Sequence, residues 1–248
     1  MKLFLKVFVA RILTSAPIGY LVKIFSAGIL QKQNLKITVK SKQITPGVAA
    51  SIYWGFYESA EIRFIHKYLR HDLPIIELGT SVGIIACISR KKNSEQLVCV
   101  EANPELIPLI EKNFELNEVK NYKIINAAIG YEKDKKSYFG KGNRNTSGKI
   151  INVRTKSSVL IKQITLSSIL ENEKINDFIL ICDIEGAEAF ILQSDSNALQ
   201  NCKQIIIETH QINVNDTLIK SSDIKDTIIG LGFTIKDKYG PNYVFEKN

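Results

Sequence analysis

Residues 75–83 read IIELGTSVG, and this stretch decides the fold. Pro74–Leu78 is a short apolar run of strand length, and Gly83–Lys92 reads as a helix. Between them, Gly79 and Gly83 let the backbone take positive φ and come close to a ligand. Outward from this turn the pattern repeats. Gln96–Glu101 is a strand, and Pro104–Asn117 a helix with Pro104 in the favoured first turn. Tyr122–Ile129, Phe178–Asp183 and Gln204–Glu208 are strands, and Thr217–Gly230 a helix. Phe233–Lys238 and Tyr243–Glu246 form a terminal antiparallel pair around Gly240–Pro241. Upstream, residues 58–70 place Ile62, Ile65 and Leu69 at helical spacing. Strands alternating with helices predict βαβ units, hence an α/β fold with a mostly parallel sheet covered on both faces.

Ligands of such sheets bind beyond the carboxyl ends of the strands, at the switch point. The dinucleotide fingerprint GxGxxG, counted from Gly79, requires glycine at 81 and 84, where the chain has Ser81 and Ile84. A nicotinamide oxidoreductase is thereby disfavoured. The phosphate cradle is weakened, but the second strand still ends in an acid, Glu101, within VCVEANP. That acid suits the two hydroxyls of a ribose. A nucleoside cofactor without phosphates fits, and S-adenosylmethionine is one. The expected cofactor contacts are Glu77 near an ammonium, the turn at Gly79, Thr80, Ser81 and Gly83 near a carboxylate, and Glu101 with Ala102 and Asn103 on the ribose. Asn126 and Ala127 at the third strand end suit the adenine, with Asp183 alongside.

Asp183 and Glu185 stand two apart at a strand end, so their side chains point the same way if the strand continues. Glu208 and His210 repeat the spacing at the next strand end. If those strands are neighbours, three carboxylates and an imidazole converge. Such a group offers a general base in Asp183, Glu185 or His210, the others binding hydroxyls. Alternatively Asp183, Glu185, Glu208 and His210 hold Mg²⁺, Mn²⁺ or Ca²⁺. A third reading has Glu188 and Glu208 only capping helices or pairing with lysines. Tyr53, Trp54 and Tyr57 form either an aromatic wall for a sugar or part of the core. Arg144, between Asn143 and Asn145, suits acceptor anions. His66 and His71 read as structural or surface residues.

The constellation LICDIEGAEAFIL, residues 180–192, together with IIELGTSVG, VEANP, INAAIG and IIIETH, resembles the FkbM-type methyltransferase family over roughly residues 53–235. Its most specific part is Asp183, Glu185, Gly186 and Glu188. Tyr57-Glu58 and Thr165-Leu166 look like family elements too, although Ser167 stands where the family often has an acid, and Cys182 departs from its pattern before the aspartate. The resemblance implies a Rossmann-like, class I methyltransferase fold with a seven-stranded sheet and an antiparallel C-terminal strand. It implies O-methylation of a sugar or related hydroxyl in glycan, polysaccharide or natural-product biosynthesis. The expected acceptor contacts are Tyr57, Glu58, Arg144 and Glu188.

The chain has 248 residues and a formal charge of +8, unevenly spread. Residues 1–50 carry eight Lys/Arg and no acid, residues 131–164 nine and two, and residues 165–248 seven and thirteen. The basic segments suggest an anionic partner or a solvated basic surface. Residues 1–50 read as a basic, apolar, helical extension, 51–248 as the methyltransferase domain, and 131–164 as an insertion in it. The longest uncharged N-terminal stretch, Ile12–Val22, is shorter than the roughly 20 residues that span a bilayer. Its helix lies either on an anionic membrane, with Lys2, Lys6, Arg11 and Lys23 among apolar residues, or on its own domain or a partner. Pro17 and Gly19 break or kink it. The expected location is cytoplasmic, peripheral to the inner membrane face in the first case. Cys87, Cys99, Cys182 and Cys202 sit in apolar runs with no CxxC pair, as small buried hydrophobes do. A nucleic-acid methyltransferase is disfavoured by carboxylates where a phosphate backbone would run, so no nucleic-acid partner is expected. A scaffold that kept the fold without the chemistry has no need of a ribose acid.

Overall fold

The computed structural model describes residues 2–131, 137–141, 148–151, 155, 158–214 and 217–247. A seven-stranded sheet organises them. We number its strands β1 (Ile75–Leu78), β2 (Leu97–Glu101), β3 (Tyr122–Asn126), β4 (Phe178–Cys182), β5 (Cys202–Glu208), β6 (Thr234–Tyr239) and β7 (Asn242–Glu246). Their spatial order is β6-β7-β5-β4-β1-β2-β3. Neighbours pair in parallel from β5 through β3, and only β7 runs against the rest.

Both faces of the sheet are covered, so the central strands are mostly apolar, with Glu77 inside β1 and acids at the ends of β2 and β5. Alternate residues feed opposite cores, as the two-residue repeat of a strand requires. Ile75, Cys99, Ile179 and Ile206 join one cluster with helices Ser59–Tyr68, Ile84–Arg90 and Ile107–Leu116. Ile76, Leu78, Val98, Leu180 and Ile207 join the other, with helices Leu166–Glu173, Glu188–Ser194 and Ser221–Gly230. All four cysteines are free and buried in these layers. Burial pushes the Cys87 and Cys202 thiols up to about 12.

Several boundaries differ from the sequence reading. Residues Thr217–Ile219 are extended and pair with Ile212–Val214, and the helix begins only at Ser221. The cause is local: Asp223 Oδ2 accepts the Lys220 N–H at 2.9 Å, fixing the helix start there. The helix expected from Pro104 starts at Ile107, with Pro108 in its first turn. The strand expected over 122–129 ends at Asn126. After Ala127, Ala128–Ile129 leaves the sheet to pair with Gln163–Ile164. The insertion holds an antiparallel group, Ser137–Lys141 between Gly148–Ile151 and Ser158–Ile161. Asn143, Arg144 and Asn145 lie outside the described residues.

At the N-terminus, helices Lys2–Leu13 and Ala16–Phe25 precede a hairpin, Ile29–Lys32 with Leu35–Thr38, and a helix, Pro46–Trp54. The break falls at Thr14–Ser15, ahead of Pro17, which occupies a first turn that tolerates it. The second helix runs through Gly19. A Cβ there would stand 1.8 Å from Pro46 O, so glycine is what lets this helix touch helix Pro46–Trp54. Val22, Leu30, Ile37 and Val48 share the first core cluster with β1 and β2.

Candidate active site

The sheet order reverses between β1 and β4, and both expected constellations emerge there. Gly79 leaves β1 at φ +87°, and a Cβ on it would lie 1.8 Å from Asp183 O, at the exit of β4. The glycine turn and the acidic motif are thus in backbone contact.

Glu101 ends β2 and is buried. Its Oε2 accepts the Ser81 N–H at 2.8 Å and its Oε1 the Asn103 N–H at 2.7 Å. Burial lifts its carboxyl to about 7, against the pull of the N–H groups of Asn103, Ser81 and Ala102. Three N–H groups on a carboxylate with about four lone-pair sites leave it capacity for a ligand hydroxyl. Ser81 stands at φ +52°, and its Oγ is 2.8 Å from Tyr57 Oη, which ties the upstream Tyr57-Glu58 element to the turn. Burial pushes the Glu58 carboxyl well above its usual range, and Glu61 and Asp183 add to this.

The turn offers fewer free donors than its sequence suggests. The N–H groups of Gly79 and Thr80 reach Val100 O, that of Ser81 reaches Glu101, and that of Gly83 reaches Thr80 O. A ligand carboxylate would therefore meet Val82 and the first turn of helix Ile84–Arg90. Glu77 points beneath that helix, where it accepts from the Ala86 N–H, and its Oε2 has no partner among the described residues. Burial first, and Glu101 second, hold its carboxyl well above the usual range. Asn126, exposed at the end of β3, donates its Nδ2–H to Glu101 O at 2.8 Å.

β4 and β5 are neighbours, and the predicted acids and imidazole do meet. The strand itself stops at Cys182: Glu185 has φ +53°, so the cluster forms by a turn and not by strand alternation. His210 is its centre. Its Nδ1 donates to Glu188 Oε1 at 2.9 Å. Its Nε2 lies 3.9 Å from Asp183 Oδ1, 3.9 Å from Glu185 Oε2 and 3.8 Å from Glu208 Oε1. Glu188, read from sequence as an acceptor contact, is instead 1 % exposed and clamps the imidazole from below. Its Oε1 also accepts the Ile184 N–H at 3.3 Å.

Charge accumulates here. Burial lifts Asp183 to about 8, with Glu208 adding and His210 opposing. Burial alone would lower His210, but the hydrogen bond and charge of Glu188, with Asp183 and Glu208, raise it to about 9. Asp183 Oδ1 is shielded from solvent with no hydrogen-bond partner among the described residues.

One member was missed from sequence. Glu61, buried on helix Ser59–Tyr68, has a carboxylate oxygen within 4.8 Å of ligand atoms of Asp183 and Glu208. Burial and Glu208 raise it to about 7. The readable signal was an acid beside Ile62 on an otherwise apolar helical face. Asp183, Glu188 and His210 make a second three-donor group within 4.8 Å. Tyr53 and Trp54 are exposed and pack edge to face at 4.9 Å, so they do not belong to the core. His66 is exposed, and His71 Nδ1 contacts Lys92 O at 2.7 Å. Ser167 hydrogen-bonds the buried Asp195 through both its N–H and its hydroxyl, so an acid is supplied near that position from elsewhere.

A sheet of this order, a glycine turn at its switch point and an acid ending the second strand define a Rossmann-like, S-adenosylmethionine-dependent methyltransferase. The sequence model of the methyltransferase FkbM domain matches residues 78–233, and the chain belongs to that family. The ribosomal protein L11 methyltransferase of Thermosipho africanus (strain TCF52B) is 27 % identical over 79 residues, 31 % of this chain and 30 % of that protein. That of Clostridium perfringens (strain SM101 / Type A) is 25 % identical over 85 residues, 34 % of this chain and 26 % of that protein. The chain thus matches about a third or less of these relatives' length. A crystal structure of a methyltransferase from Pyrococcus furiosus superposes with a TM-score of 0.47 and 14 % identity, over 92 % of this chain and 95 % of that one.

Proposed function

We propose that this enzyme O-methylates a hydroxyl of a sugar, or of a glycan or natural-product intermediate. The observation that carries the reading is the Asp183–Glu185–Glu208–His210 cluster beside the glycine turn. A hydroxyl is a poor nucleophile at neutral pH and needs a proton acceptor within hydrogen-bond reach. Several carboxylates also suit a partner rich in hydroxyl donors. The same carboxylates oppose a phosphate backbone, which keeps nucleic acid outside this reading. Residues 51–248 form the catalytic unit in it, and residues 1–50 an added segment.

The cofactor fits the residues present. Glu101 keeps acceptor capacity beyond its backbone N–H contacts, and the buried Glu77 Oε2 has no donor among the described residues. Glu101, with Ala102 and Asn103, would hold the ribose. Glu77 and the turn would hold the amino-acid end, and Asn126 and Ala127 the adenine. S-adenosylmethionine supplies an electrophilic methyl group on a sulfonium. The chain's own work is to align the acceptor oxygen and to take its proton. We assign the proton to Asp183, whose half-buried carboxyl stands at the β4 exit beside the glycine turn. His210, oriented by Glu188, lowers the charge density that would otherwise keep Asp183 protonated. Glu185 and Glu208 bind neighbouring hydroxyls.

Two measurements test this reading. Calorimetric titration with S-adenosylhomocysteine gives saturable binding that Glu101→Ala weakens at least 100-fold, on the order of 3 kcal/mol, while NAD does not bind. Unchanged affinity in that variant removes Glu101 from the cofactor site. Radiolabelled methyl transfer to neutral glycosides, but not to RNA, supports the acceptor class, and the reverse result overturns it. The two three-donor groups also favour a second reading, in which Mg²⁺, Mn²⁺ or Ca²⁺ replaces the shared protons. That reading requires turnover to fall with EDTA and return with the metal.

A further inference from the structure

Helix Ala16–Phe25 has two apolar faces. Its inner face packs on helix Pro46–Trp54 through Gly19 and Val22. Lys23, grouped from sequence with the lipid-facing cations, belongs to that inner side: its Nζ donates to Ser41 O at 3.3 Å and Ile44 O at 2.6 Å. The outer face comprises Ala16, Pro17, Tyr20, Leu21, Ile24 and Phe25, all exposed. These positions recur at four-residue steps, one stripe along the helix. A surface helix of a globular protein carries charged and polar residues there. Here Ile24 is 69 % and Phe25 84 % exposed. Helix Lys2–Leu13, which packs on the same helix Pro46–Trp54, exposes Phe8, Val9 and Ile12 as well.

The segment that carries this stripe bears charge of one sign. Residues 1–50 contain eight Lys/Arg and no acid, and Arg11, Lys36 and Lys40 are exposed. A second copy placed on the stripe would bring two such segments together, and like charges at an interface oppose association. An anionic lipid surface accepts both the cations and the apolar side chains. No helix among the described residues is long and apolar enough to cross a membrane. We propose that residues 8–29 dock the enzyme on anionic bilayers, with Tyr20, Leu21, Ile24 and Phe25 inserted at the level of the headgroups.

The test is flotation of the full chain with vesicles of phosphatidylcholine alone, or with phosphatidylglycerol as roughly one lipid in three. The expected result is binding to the anionic vesicles at low salt, at least tenfold stronger than to the neutral ones. The double variant Ile24→Glu with Phe25→Glu, checked by its melting temperature, loses at least tenfold of that binding. Combined Arg11→Gln, Lys36→Gln and Lys40→Gln, which leave the stripe intact, reduce the preference for anionic vesicles and its salt dependence. Wild-type protein that does not float with anionic vesicles overturns the proposal. So does a double variant that is folded and floats like wild type. A wild-type dimer that the double variant dissociates would give the stripe to a second copy and overturn it equally.

Discussion

Asp183→Asn should lower turnover by about 10²–10⁴-fold, the range for loss of a positioned proton acceptor, with S-adenosylhomocysteine affinity held within a few-fold. The amide keeps the shape of the carboxyl and its place at the β4 exit, so the cofactor turn is undisturbed. What it loses is the capacity to receive the hydroxyl proton. The pH dependence follows from the same cluster. Asp183, at about 8, holds a proton through neutral pH, so kcat rises with pH as that proton leaves. His210, at about 9, then loses its charge and the rate falls. The two limbs belong to the coupled cluster as a whole. Stability runs the other way on the acid limb. The folded chain binds more protons than the unfolded one between 3.8 and about 8 at Asp183, and between 6.5 and about 9 at His210. Stability therefore falls as pH rises through both windows. Asp183→Asn removes the first, so its melting temperature gains on wild type near pH 8. A variant with full turnover excludes Asp183 as the base, and a melting profile parallel to wild type means that folding does not raise its carboxyl.

Gly79→Ala has the largest expected effect on folding. The residue holds φ +87°, and the added methyl would lie 1.8 Å from Asp183 O and 2.8 Å from Asp183 C. Neither obstacle is a side chain that could swing aside. The Asp183 N–H is bonded to Leu78 O at 3.0 Å, and the next N–H is held by Glu188. Strain and overlap together amount to roughly 2–6 kcal/mol, enough to unfold many domains outright. Gly240→Ala is the control. Gly240 also has positive φ, at +60°, but open space around it, so it costs only about 1–2 kcal/mol. Equilibrium denaturation of both separates overlap from backbone strain. Equal midpoints would mean that the β1–β4 contact yields, and the site would be less rigid than described.

The fold was legible where burial imposed a pattern. Central strands covered on both faces are apolar runs, and IIELGTSVG, LVCVE and FILIC carry that pattern in the sequence alone. Glu101 was legible for the converse reason, as an acid closing an apolar run. Thr217–Leu218–Ile219 was not, because three residues before a helix show no period of their own; their partner strand and Asp223 decide the matter. The convergence of Asp183 with Glu185 was expected on a premise that the structure replaces. Only a left-handed residue beside Gly186 brings Glu185 round, and no side-chain periodicity reports on that. Glu61 escaped notice because its neighbours at β4 and β5 are remote in the chain. The clamp of Glu188 on His210 has the same origin: it joins two strand ends that only the sheet order makes adjacent.

The burial of all four thiols gives the molecule a built-in chemical clock. With their ionisation suppressed, they are inert to alkylating reagents in the closed protein. Cys99 and Cys182 lie on β2 and β4, flanking β1, and face opposite cores, so their modification requires the layers that cover the sheet to lift. Labelling kinetics thus report opening of the catalytic scaffold without any added probe. A single cysteine placed at Phe25 would react alone, giving a fluorophore a unique attachment point on the stripe proposed to meet lipid.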